Sequence, residues 1–305
     1  ATGSNPTRVV AADVNGDGKA DLIVSNLSSN SVSVLLNATA PGAAAPLFLA
    51  QQTFPTGAAP YAVDAADANG DGEPDLVVAN YNGNTVSVLF NLTAPGATSV
   101  SFSAQRSFAT GSQPYCVGAT DLNGDGKPDL VASNVGSNSV SVLLNTTVPG
   151  AATPSFADQQ TFATESQPYC VAAANVNGDG AIDLLTANIA SNSVSVLLNT
   201  TVIGTASLGF AAAQEFATLS APRGVATADV NGDGRVDVIA ACSGVNYASV
   251  LLNTTAAGAT APSFASQLGF AMGFNPQAVA MADMNGDGKP DMPVGPPGGL
   301  SVRLN

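Results

Sequence analysis

Ser139-Val140-Ser141-Val142-Leu143-Leu144 alternates polar and apolar side chains, the two-residue period of a half-buried strand. Around it, residues 112–162 resolve into short apolar runs separated by turn residues. Ser112-Gln113-Pro114 is a turn. Residues 115–120 (Tyr-Cys-Val-Gly-Ala-Thr) and 130–133 (Leu-Val-Ala-Ser) read as strands. Residues 134–138 form a Gly/Ser/Asn turn before the alternating strand. A long loop over 145–154 follows, and a fourth strand is predicted from Phe156 through Phe162. No stretch carries the helical period. The same order returns every 54 residues, and the first run stays small in each copy: Val9-Val10-Ala11-Ala12, Val171-Ala172-Ala173-Ala174, Val225-Ala226-Thr227-Ala228. Small side chains let several copies crowd about one axis, which makes this run the innermost strand.

Four short strands per repeat and a period near 50 residues fit a β-propeller blade; β-solenoid coils usually run shorter. The predicted fold is all-β: one domain over 1–305, a β-propeller of six four-stranded blades. The repeats are approximately 1–54, 55–108, 109–162, 163–216, 217–270 and 271–305. Ala1-Thr2-Gly3 aligns with the turn after a fourth strand, and the last repeat stops after its third. The expectation is 23 strands with the last blade lacking its outer one, unless the chain is a fragment. In that repeat Pro293 is expected to interrupt the second strand, and Pro296-Pro297-Gly298-Gly299 replaces the usual turn. No apolar run reaches the roughly 18 residues of a membrane span. No signal peptide is visible and the chain starts inside a repeat, so any leader is expected to have been removed already.

Between the first two strands of every repeat lies the polar stretch Asp13-Val14-Asn15-Gly16-Asp17-Gly18-Lys19-Ala20-Asp21 and its five successors. Oxygen-bearing side chains occupy loop positions one, three, five and nine, and glycines positions four and six. On a tightly turning backbone these oxygens converge, which suits a hard cation needing six to eight oxygen ligands, and the position-seven carbonyl would add one more. An EF-hand would end in Glu at position twelve between helices; here Asp stands at position nine between strands. The candidate ligands for six Ca2+ ions are Asp13, Asn15, Asp17, Lys19 and Asp21; Asp67, Asn69, Asp71, Glu73 and Asp75; Asp121, Asn123, Asp125, Lys127 and Asp129. The remaining copies are Asn175, Asn177, Asp179, Ala181 and Asp183; Asp229, Asn231, Asp233, Arg235 and Asp237; Asp283, Asn285, Asp287, Lys289 and Asp291. Position seven contributes only its backbone carbonyl. Asn175 replaces an anion with a neutral oxygen, so the fourth site should be the weakest.

Charge follows the same stretches. Of 22 acidic residues 18 lie in the six loops, and Asp64, Asp158, Glu165 and Glu215 outside them are balanced by Arg8, Arg106, Arg223 and Arg303. The net charge of −14 therefore belongs to the loops and is a metal-site signature, not a surface for a basic partner. With two or three carboxylates and no bidentate Glu, each loop should bind calcium weakly to moderately and fill where calcium is millimolar, outside the cell or at its surface.

The unit P-x-x-V-x-x-x-D-x-N-G-D-G-x-x-D-L followed by S-V-S-V-L-L-N resembles the FG-GAP/VCBS repeat over nearly the whole chain. That family builds the calcium-bearing blades of integrin α-subunit propellers, of a mushroom lectin and of modules attached to polysaccharide lyases. The resemblance implies a propeller with calcium in the loops above, and it says little about activity.

Catalytic groupings are missing. There is no His, the commonest general base and usual zinc ligand. The four acids outside the loops do not align in the repeat, and eight basic residues make nucleic-acid binding implausible. The chain reads as a non-enzymatic binding module for a glycan or extracellular protein, or else as a scaffold or enzyme-attached module. Tyr61, Tyr115 and Tyr169 are equivalent residues before the inner strand, with Arg223 and Gln277 in repeats five and six. They are the candidate ligand residues, and packing of the turn between blades is the alternative. Loops alternate between faces, so metal loops and the loops after strand three share one face, and the Tyr turns share the other with turns such as Tyr81-Asn82-Gly83-Asn84. Asn37, Asn91, Asn145, Asn199 and Asn253 each open an Asn-x-Thr sequon, and Asn26 an Asn-x-Ser. Cys116 and Cys170 are equivalent and pair only if their Cα atoms lie within about 7 Å; Cys242 reads as a core residue.

Overall fold

A computed structural model describes residues 2–205, 207–295 and 299–305. Its described residues form six antiparallel sheets from 23 strands, taken in chain order. The first sheet is β1 (Pro6–Ala12), β2 (Asp21–Asn26), β3 (Ser31–Leu35) and β4 (Gln52–Pro55). The second is β5 (Pro60–Ala66), β6 (Asp75–Asn80), β7 (Thr85–Leu89) and β8 (Arg106–Ala109); the third is β9 (Pro114–Thr120), β10 (Asp129–Asn134), β11 (Ser139–Leu143) and β12 (Gln160–Ala163). The fourth holds β13 (Pro168–Ala174), β14 (Asp183–Asn188), β15 (Ser193–Leu197) and β16 (Gln214–Ala217). The fifth holds β17 (Pro222–Ala228), β18 (Asp237–Cys242), β19 (Tyr247–Leu251) and β20 (Leu268–Ala271). The sixth has three: β21 (Ala278–Val279), β22 (Met292–Gly295) and β23 (Ser301–Arg303). Each sheet is one repeat, with strands hydrogen-bonded in sequence order. The turn proposed at 296–299 lies, up to residue 298, outside the described residues.

The chain gathers into two compact units. One is Ala1–Asp121, Gly126–Gly136 and Ser141–Thr161; the other is Leu122–Asp125, Ser137–Val140 and Phe162–Asn305. In the first, the small-residue strands β1, β5 and β9 pack side by side; in the second, β13, β17 and β21 do the same. Gly224 shows how close this packing is: a Cβ there would lie 3.0 Å from the Ala278 Cα. The core of the first unit runs between successive sheets. Val32, Val34 and Ile23 pack with Leu76 and Val78, and Val86, Val88 and Phe90 with Leu130 and Ala132. In the second, Ile239 and Val250 pack with Met292 and Val294.

Three details depart from the sequence reading. The third strand is buried on both faces, since Ser33, Ser87, Ser141, Ser195 and Ser249 are all inaccessible. Its serines build polar ladders: Asn80 Nδ2 donates to Ser87 Oγ (2.8 Å), and Ser87 Oγ to Gln105 Oε1 (2.5 Å). Alternation here separates two buried environments, one apolar and one hydrogen-bonded. Second, Phe156 does not begin strand four. It bridges Asn145 alone, as Phe48, Phe102, Phe210 and Phe264 bridge their own asparagines, and each strand four has four residues. Its ring is an anchor for the preceding sheet, edge-on to Phe108 with centroids 5.1 Å apart. Third, Pro293 sits inside β22 without interrupting it. The Pro293 carbonyl accepts the Ala280 N–H (3.1 Å), so its missing N–H also lies on the β21 side, and β21 has only two residues. Beside the last sheet, a groove of about 390 Å³ is lined by Leu252, Leu268, Phe270, Met281, Met292 and Leu304. All three cysteines are buried thiols.

Candidate functional site

Each loop is wound around its first side chain, an Asp in five repeats and Asn175 in the fourth. In the first repeat Asp13 Oδ1 accepts the Asp17 N–H (3.1 Å) and Oδ2 the Gly18 N–H (2.7 Å). Asn15 Oδ1 also accepts from Asp17 N (3.3 Å), and Asp17 Oδ1 from Lys19 N (3.0 Å). These turns demand left-handed backbone at Gly16 (φ 65°) and Gly18 (φ 82°), conformations that cost a residue with Cβ dearly. The pattern repeats at Asp67, Asp229 and Asp283, where the position-four glycine N–H joins in. At Asp121 the Gly126 N–H donates to Oδ2 (2.8 Å), and Asn175 Oδ1 accepts the Asp179 N–H (3.2 Å).

The position-nine aspartate is held differently. Asp21, Asp75, Asp129, Asp183, Asp237 and Asp291 are 0% exposed. Asp75 Oδ2 accepts the Ala68 N–H (2.9 Å), and Oδ1 the Asn91 N–H (2.7 Å) at the end of strand three. The Oδ1 bond recurs in all six repeats, to Asn37, Asn91, Asn145, Asn199, Asn253 and Asn305. This residue therefore latches loop to sheet, a role the motif alone does not reveal.

The electrostatics divide accordingly. Backbone N–H groups hold Asp229 and Asp283 below the usual carboxylate range, that of Gly234 foremost for the first and that of Gly288 for the second. Burial raises Asp21, Asp183 and Asp237, with repulsion from neighbouring loop carboxylates adding to it, and pushes Asp75 up to about 7. Among the described residues no three Asp, Glu, His or Cys side chains gather as a ready metal cluster. The donor set fits a hard divalent cation even so. It is all oxygen and mixes carboxylate with amide and carbonyl, and Oδ2 of Asp13, Asp67, Asp229 and Asp283, which accepts a single backbone N–H, keeps a second lone pair.

The long loop after strand three covers the metal loop of the preceding repeat. Gly96 N–H donates to the Asn15 carbonyl (2.6 Å), Asn15 Nδ2 to the Ala97 carbonyl (2.9 Å), and Asn91 Nδ2 to the Val14 carbonyl (2.9 Å). The two kinds of loop thus share a face, as expected. The sequon asparagines serve this joint. Asn91, Asn145, Asn199 and Asn253 are buried, and each gives both Nδ2 protons to backbone carbonyls. Their Oδ1 accepts the N–H two residues on, which explains the fixed spacing to Thr.

On the tyrosine side the structure brings together Tyr61, Tyr115 and Tyr81. The Tyr61 and Tyr115 rings stack at 3.8 Å between centroids, and the Tyr115 hydroxyl bonds the Tyr61 hydroxyl. Tyr81 stands 6.1 Å from Tyr61 and 6.3 Å from Tyr115. Tyr115 is buried while Tyr61 and Tyr81 are partly exposed. In the second unit the Arg223 guanidinium lies 5.4 Å from the Tyr169 ring, and its buried Nε has no hydrogen-bond partner. Gln277 lies beside Gly224 and uses its backbone N–H on the Gly295 carbonyl. Tyr81 was legible only as part of an Asn-rich turn; its approach to Tyr61 depends on two turns meeting at one end of a sheet.

The FG-GAP-like repeat profile matches residues 13–78, 67–132, 121–186, 175–240 and 229–294, each match running from one loop through the next. A comparison with curated proteins found no match. Among solved structures, BBS1N, crystallised in complex with ARL6DN, is similar at 12% identity and a TM-score of 0.60, over 99% of this chain and 79% of that one. An Agrocybe aegerita lectin specific for non-reducing terminal N-acetylglucosamine aligns at 16% identity and a TM-score of 0.55, over 94% and 74%. A putative 6-phosphogluconolactonase from Bacteroides uniformis aligns at 18% identity and a TM-score of 0.59, over 90% and 74%. Such identities speak to fold alone. The repeated sheets, their sequence-order pairing and the family match lead to one statement: the chain is a β-propeller of the FG-GAP-like repeat family.

Proposed function

We propose that this propeller is an extracellular binding module, stabilised by calcium in its six loops, that recognises a glycan through the tyrosine face. The observation carrying it is the convergence of Tyr61, Tyr81 and Tyr115, two of them partly exposed, on a face without the loop carboxylates. Aromatic faces with hydroxyl tips suit a ligand that is apolar on one side and hydrogen-bonding on the other. The lectin of the same fold makes glycan recognition a natural use of such a scaffold, and the BBS1N complex does the same for a protein partner. Because a putative lactonase shares the fold, the case for binding over catalysis rests on the residues: there is no His, and 18 of the 22 acids lie in the cation loops.

Calcium would be held by the oxygens at positions one, three, five and nine and the position-seven carbonyl. It would supply charge neutralisation, tying together carboxylates that otherwise repel. Binding to the native state alone stabilises by about 2.7 kcal/mol per site at a hundredfold excess over Kd. Melting temperature should therefore climb with calcium and fall with chelator; identical melting in both rejects the calcium reading.

A glycan array probed with and without calcium tests recognition. Tyr61→Ala with Tyr81→Ala, leaving buried Tyr115 in place, should weaken any hit at least about tenfold, or about 1.4 kcal/mol. Unchanged affinity in the folded double variant rejects the tyrosine face and favours a packing role, which the Tyr61–Tyr115 hydroxyl bond already serves.

A further inference from the structure

We infer that Arg223, set against Tyr169 in the second unit, is a recognition point for the carboxylate of an acidic saccharide. The saccharide rests on the glycan reading above; the carboxylate rests on Arg223 itself. Tyr169 on β13 and Arg223 on β17 hold the same repeat position, and these strands pack side by side. Gln277 follows at that position, just before β21. Both strands bulge there. β13 pairs β14 through Pro168 and Cys170, and β17 pairs β18 through Pro222 and Gly224, which leaves Tyr169 and Arg223 each as the extra residue. A bulge re-aims its side chain out of the ladder. The partly exposed Arg223 guanidinium comes to lie 5.4 Å from the centroid of the Tyr169 ring.

Arg223 is unsatisfied by the fold. Among the described residues it forms no ion pair, its side chain meets no acceptor, and its Nε is buried without a partner. Glu165, on the turn entering β13, does not pair with it. In the first unit, by contrast, the equivalent Tyr61 and Tyr115 bond each other through their hydroxyls. A guanidinium is always charged and carries five N–H donors in one plane. The aromatic ring attracts its charge from one side and leaves the in-plane fork open. A carboxylate fills that fork with two parallel, charge-assisted bonds. Turning to meet it breaks no hydrogen bond in the fold and relieves an N–H now buried unpaired. The surroundings suit a sugar acid. The loop carboxylates stand at the other end of both strands, past Ala174 and Ala228, so they do not repel an anion at contact. The Tyr169 ring offers an apolar face, and partly exposed Gln277 adds an amide donor and acceptor for hydroxyls.

Calorimetry of the full chain in calcium, with a glucuronate-terminated oligosaccharide, its methyl ester and its glucose-terminated counterpart, tests this. The free acid should bind at least about tenfold more tightly than either neutral form. Arg223→Gln, shown to be folded by circular dichroism, should erase that preference. Arg223→Lys keeps the charge without the fork and should recover part of it. An acid preference that survives Arg223→Gln but vanishes with chelator puts the acid on the cation loops and overturns the inference. A Glu-rich peptide bound through Arg223 in place of the sugar acid overturns it in favour of a protein partner. Neutral glycans bound without any preference for the acid, and lost in Tyr61→Ala with Tyr81→Ala, overturn it while the glycan reading stands. Absence of binding to every sugar overturns both.

Discussion

Replacing Asn145 by Ala isolates the joint between two blades. Asn145 is 2% exposed, gives Nδ2 protons to the Ala68 carbonyl (2.8 Å) and the Pro128 carbonyl (3.0 Å), and accepts the Thr147 N–H (2.9 Å). Ala68 belongs to the preceding blade, Pro128 and Thr147 to its own. Three hydrogen bonds at a net of about 1 kcal/mol each, plus part of the cost of leaving buried partners unpaired, give a loss of about 3–5 kcal/mol. Asn37 is the internal control: it occupies the same position in the first repeat, is partly exposed, and among the described residues its side chain bonds the Ala20 carbonyl (3.0 Å) and the Thr39 N–H (3.0 Å). Asn37→Ala should cost about 1–2 kcal/mol, since water can replace what is lost. Urea unfolding followed by circular dichroism at saturating calcium measures both, and equal m-values make the midpoint shift a stability difference. The two variants should differ by about 2 kcal/mol or more. Equal losses would refute the view that the bond to the preceding blade carries the difference.

Expressed in a eukaryotic secretory host, the folded protein should carry no glycan on Asn91, Asn145, Asn199 or Asn253, whose amide protons are both committed in the fold; peptide mass spectrometry of folded material showing occupancy there refutes this. Burial raises the pKa of Asp64 from 3.8, against opposing backbone N–H bonds from Ala65 and Ala119. A group with a raised folded pKa binds its proton more readily in the native state, so its contribution to stability grows as pH falls through that value and stops growing below the unfolded one. Relative to Asp64→Ala, the residue that repeats four to six carry as Ala172, Ala226 and Ala280, wild type should gain stability between pH 7 and pH 4. A pH-independent difference between the two proteins contradicts it.

Blade count, strand order and the place of each loop were legible because a 54-residue repeat carries its own internal controls: whatever recurs in register answers to a recurring physical need. The three strands of the last sheet and the small-residue inner strand followed from the same register. Three meanings were not legible, and each depends on a neighbour distant in sequence. The serines of strand three look solvent-facing until the buried Asn and Gln side chains that meet them, such as Asn80 and Gln105, are in place. The Asn-x-Thr pattern looks like a glycosylation signal until the Val14 carbonyl, 77 residues from Asn91, takes its amide. The aspartate at position nine reads in the motif as one more ligand, and only the packed structure adds its second role, with its oxygens accepting amides on both sides of the loop. Local pattern determines which residues recur; which polar atoms are left for a ligand is decided only when blades pack, because burial makes nearly every donor and acceptor find a partner.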